Sequence, residues 1–110
     1  MAAGAAEIVD FVVTTALSIS EILRMINPKD HYVGWALLLY ELEDAHEHLG
    51  VLIKDMVSDP EYSDVEFRIQ LGHVYAHLNR AWYRRNVPED IPKEQWDKAT
   101  EFPSDIGPLV

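Results

Sequence analysis

Two short stretches, ELEDAHEHLG at residues 41–50 and LGHVYAHLNR at residues 71–80, concentrate the side chains of this chain that can bind a metal ion. The first holds four carboxylates and two histidines. The second holds His73 and His77 four apart, the spacing that stacks two side chains on one face of a helix. Three imidazoles and a carboxylate can hold a divalent first-row ion such as zinc, iron, nickel or manganese. An ion with an open position can activate water for hydrolysis. Whether the residues meet depends on the elements that carry them.

Trp35, Leu38, Leu42, Ala45, Leu49, Leu52 and Met56 alternate spacings of three and four, which predicts a helix over about 28–58 with a coiled-coil-like seam. Phe67, Leu71, Val74, Leu78 and Ala81 repeat the pattern and predict a second helix over about 61–86. Asn27-Pro28 and Asp59-Pro60 each offer a cap candidate followed by proline, and Ser63 with Glu66 gives an S-x-x-E capping box. The turn between the helices is short, so they are expected to fold back as an antiparallel hairpin.

A further helix is expected over about 3–26. Its polar residues Glu7, Asp10, Thr14, Ser18 and Glu21 form one narrow stripe, and apolar residues from Ile8 to Ile26 cover more than half its circumference. That face is wider than one hairpin can cover. The fold expected is therefore all-α, an up-down bundle over residues 1–86 completed by homodimerisation through this helix; a monomer with the tail folded over it is the alternative. The Pro-rich tail, residues 87–110, carries Ile91, Trp96, Phe102, Ile106 and Leu109. It reads as a strap packed on the bundle with a short helix at 92–99, or else as a peptide offered to a partner.

With the turn centred near residue 60, His48 lies level with His73, and Asp44 with His77. At 100° per residue, Glu41, Asp44, His48 and Asp55 fall on one flank of the hairpin, facing Glu66, Gln70, His73, His77 and Arg84. Asp44, His48, His73 and His77 are thus the candidate metal ligands. The plainer reading makes them half-exposed hydrogen-bonded pairs, with Glu41 and Arg80 a surface ion pair worth under about 1 kcal/mol. His46 falls on the other side of the seam beside Leu39 and Ile53, and His31 in a solvated first turn. The basic cluster Arg80, Arg84 and Arg85 reads as compensation of a helix C-terminus.

Two family patterns can be compared. Glu43-Asp44-x-x-Glu47 followed by Glu61-x-x-Asp64 resembles the carboxylate pattern of the all-α MazG-like nucleotide pyrophosphohydrolases, which implies magnesium held by those acids. Within one hairpin the two halves stand about 20 Å apart at 1.5 Å per residue, so only a dimer could join them. The H-x-x-x-H of His73 and His77, with a third histidine on another helix, is similar to the metal triad of DinB-type four-helix bundles.

Composition narrows the rest. A net charge of −10 on 110 residues disfavours nucleic acid and anionic membranes as partners, and the lack of cysteine removes every thiolate chemistry. No Lys or Arg precedes the N-terminal apolar run, and Glu7, Asp10, Glu21 and Arg24 interrupt it, so neither a signal peptide nor a membrane span is expected and a cytoplasmic protein is. No phosphate-binding loop, dinucleotide fingerprint or nucleophile elbow occurs. The function expected first is non-enzymatic, through self-association and a protein partner without a cofactor; next comes a metal-binding or metal-dependent hydrolytic bundle.

Overall fold

The computed structural model describes residues 24–109, so the helix expected over about 3–26, and the dimer contact assigned to it, lie outside the described residues except at the last few positions. The described chain is helical throughout its regular parts. Two long helices, α1 (Tyr32–Ser58) and α2 (Asp64–Arg84), form an antiparallel hairpin, and a 3-10 turn (Lys93–Gln95) runs into a short helix, α3 (Trp96–Thr100).

The starts of the helices follow from their capping chemistry. Asn27 does not cap α1 directly. Its Oδ1 accepts from the backbone N–H groups of Lys29 and Asp30 at 3.0 and 2.7 Å, closing a separate turn over Pro28. The N-cap residue, His31, gives no side-chain cap. Instead the Gly34 N–H, one of the donors every helix start leaves open, donates to the Pro88 carbonyl at 2.9 Å. That approach requires glycine, because a Cβ at residue 34 would lie 2.2 Å from the Val87 carbonyl oxygen. At α2, Ser63 Oγ accepts from the Glu66 N–H at 3.1 Å, which is the forward half of the capping box.

The stripe of α1 that faces the rest of the fold is Gly34, Leu38, Glu41, Ala45 and Leu52, all buried, with His48 half-buried in the same register. These positions alternate by four and three, one residue out of step with the seam expected from apolarity. Leu38, Ala45 and Leu52 belong to both stripes. Leu42, Leu49 and Met56 do not, and they remain 41%, 40% and 45% exposed. The polar stripe turns inward because α2 presents matching partners, His77, Arg80 and Arg84, to Glu41.

The tail crosses the open end of the hairpin and then lies along α2. Ile91 and Ala99 of the tail are buried, as is Ile26, whose N–H donates to the Arg85 carbonyl at 2.8 Å. Asn79 Nδ2 donates to the Thr100 carbonyl at 2.8 Å, and the Tyr83 hydroxyl donates to Gln95. Trp96 lies over Arg80, with the guanidinium carbon 4.5 Å from the ring centroid.

Candidate functional site

Glu41 is the hub of the hairpin's polar flank. Its carboxylate is 6% exposed, and three side chains of α2 address it. Arg80 Nε and Arg84 Nε donate to Oε2 at 2.9 and 3.1 Å, while His77 Nδ1 stands 2.8 Å from Oε1. Burial pushes the Glu41 carboxyl up, but the hydrogen bonds from His77, Arg80 and Arg84, with the Arg80 charge, outweigh it and hold the group below the usual glutamate range. An ionised carboxylate only accepts, so His77 Nδ1 carries the proton and donates it. Arg80 Nη2, 3.2 Å from the same nitrogen, is then a neighbour and not a second donor to it.

The two arginines are tied outward as well. Arg84 Nη1 donates to Asp90 Oδ1 at 3.2 Å, and Arg80 Nη1 donates to Thr100 Oγ1 at 3.1 Å. No buried side-chain nitrogen or oxygen among the described residues lacks a hydrogen-bond partner. Glu41 and Arg80 therefore form a buried, multiply bonded pair, not the surface pair that their charges alone suggest, and removing one partner would strand the others.

Beyond His77 lie two more imidazoles. His48 of α1 stacks on His73 of α2 with centroids 4.6 Å apart and on His77 at 5.2 Å; His73 and His77 are 5.9 Å apart. One ring nitrogen from each falls within 4.8 Å of the others. The antiparallel register thus brings together three of the four residues proposed as ligands. Asp44 is exposed and stands outside the group, because the stripe that turns inward is centred on Glu41 and Ala45. The carboxylate beside the histidines is Glu41, a position whose i,i+7 relation to His48 was the available signal.

The other acids stay apart. Glu43 and Glu47 are exposed on α1, Glu61 lies in the turn, and Asp64 pairs with Arg68 at 3.5 Å. About 16 Å of helix separates Glu47 from the end of α1 at 1.5 Å per residue, so within one chain these four do not share an ion. Arg85 lies 3.8 Å from the Trp82 ring centroid and pairs with Asp105 at 3.2 Å. A cleft of about 480 Å³ opens beside them, lined by Asn79, Tyr83, Lys98 and Phe102 among others.

Among the described residues, the opposite flank of the hairpin is apolar and partly exposed. At 100° per residue Leu39, Leu42, Leu49 and Ile53 project to one side of the α1 stripe, and Phe67 and Leu78 project to the same side from α2. All six are at least one-third exposed. No helix among the described residues is long and apolar enough to cross a membrane. No family model, curated protein or solved structure matches the chain.

Proposed function

We propose that this chain is an acidic helical-bundle protein that acts by self-association, two copies closing their apolar flanks into one shared core. The observation that carries this reading is the row Leu42, Leu49 and Met56, which keeps coiled-coil spacing along α1 yet is left 40–45% exposed. A contiguous apolar surface on a two-helix hairpin is an interaction face, because water is a poor neighbour for it and a second hairpin of the same shape is a good one. The apolar positions in residues 3–26 add to what such an assembly would bury. With ten excess negative charges on each chain, the assembled particle stays soluble while its polar flanks remain outside. In this reading those flanks and the tail are what a protein partner meets.

Light scattering at micromolar concentration tests the assembly. The expected mass is twice the 12.6 kDa of one chain. A monomer at that concentration would contradict the proposal.

A further inference from the structure

We infer that His48, His73 and His77 form a site for one divalent transition-metal ion, with Glu41 as the residue that positions His77. Two independent observations converge on it. The first is the meeting of three imidazoles from two helices, with one donor nitrogen of each within 4.8 Å of the others. Imidazoles without thiolates select zinc, copper, nickel or iron over magnesium and calcium, which take oxygen ligands, and this chain has no cysteine to alter that choice.

The second observation concerns which nitrogen is available. Glu41 Oε1, 2.8 Å from His77 Nδ1, fixes the proton on Nδ1 and leaves the lone pair on Nε2, at the other edge of the ring. A carboxylate behind a histidine is the arrangement that orients metal-bound imidazoles and raises their basicity. Here the carboxylate is itself held by Arg80 and Arg84, so the tautomer is set before any ion arrives. The charge of Arg84 is matched by Asp90 as well as by Glu41, which limits its repulsion of a cation.

The rings lie nearly parallel, at interplanar angles of 7 to 18°. A tetrahedral ion with bonds of about 2.0–2.1 Å needs its nitrogens about 3.3 Å apart, so binding must tilt the rings inward. His73 is exposed and His48 half-buried, so both have room to turn. No fourth Cys, His, Asp or Glu joins the group among the described residues. Three protein ligands and a remaining position for solvent is the pattern of a reactive zinc, not of a closed structural one. The inference does not depend on self-association.

The test is a calorimetric titration of untagged, chelator-treated protein with zinc chloride. One equivalent should bind, His73→Ala and His48→Ala should each weaken binding at least about tenfold, and Glu41→Gln about 10- to 100-fold. Because Glu41→Gln also disturbs packing, His48→Ala and His73→Ala, at half-buried and exposed positions, are the variants that decide the matter. His46→Ala, on the other side of the helix, should leave affinity unchanged. The site is refuted if less than half an equivalent binds at micromolar zinc, or if the His48→Ala/His73→Ala double variant binds like the parent.

Discussion

The Nδ1–H of His77 donates to Oε1 of Glu41 across 2.8 Å, and this bond joins the two flanks' worth of polar chemistry on α1 and α2 into one network. Arg80 and Arg84 complete it, so a carboxylate occupies a coiled-coil core position without being stranded. That single choice of partner determines which face of α1 turns inward and which is left apolar and open.

Removing the carboxylate leaves two guanidiniums in a nearly dry interface. Glu41→Gln should cost roughly 3–5 kcal/mol of unfolding free energy, measured by urea denaturation. Replacing Glu41, Arg80 and Arg84 together by apolar residues of similar size should recover most of that loss. A single variant within about 0.5 kcal/mol of the parent would show that the network is not a stabilising core.

The same carboxylate makes stability fall in acid. Its folded pKa is depressed, so its contribution is fully present above the usual glutamate value of about 4.3 and is lost as pH drops through the lower folded value. The stability difference between parent and Glu41→Gln should therefore shrink as the pH falls below about 4.3. A difference that grows on acidification would have the wrong sign.

Glycines separate close approach from open space. Gly34→Ala must push against the backbone oxygens of Val87 and Pro88, at 2.2 and 2.7 Å, and should destabilise by about 1–3 kcal/mol. Gly50→Ala meets nothing within 4 Å in the middle of α1 and should stabilise by roughly 0.5–1 kcal/mol. Equal effects from the two substitutions would mean that the tail does not sit against the start of α1.

Trp96 fastens the tail over Arg80, whereas Phe102, 69% exposed, only meets the edge of Tyr75 with centroids 5.0 Å apart. Trp96→Ala should cost about 1–2 kcal/mol and speed proteolytic cleavage of residues 87–109 several-fold; Phe102→Ala should do neither. Cleavage at the parent rate in Trp96→Ala would contradict the fastening.

The all-helical class was legible from the three-and-four spacing of apolar residues, and the meeting of His48 with His73 and His77 from simple counting back from the turn. The inward face of α1 was not. Two heptad stripes lie side by side on that helix, sharing Leu38, Ala45 and Leu52, and apolarity favours the one through Leu42 and Leu49. The structure selects the stripe through Glu41 and His48, because charges on α2 are matched there and the tail's Pro88 carbonyl seats on Gly34. Pairing across helices and contacts from the tail are non-local, and a pattern read along one segment does not contain them. Asp44 stays exposed beyond that stripe, and the carboxylate beside the histidines is Glu41, bonded to His77.

Association through the apolar flank is decided by sedimentation equilibrium on the parent and on Leu42→Glu/Leu49→Glu. The parent should sediment at twice the 12.6 kDa chain mass, and the double variant should retain its helical circular dichroism yet sediment as one chain. A parent that is monomeric across the micromolar range, or a double variant that is folded and still dimeric, would rule out association through this flank.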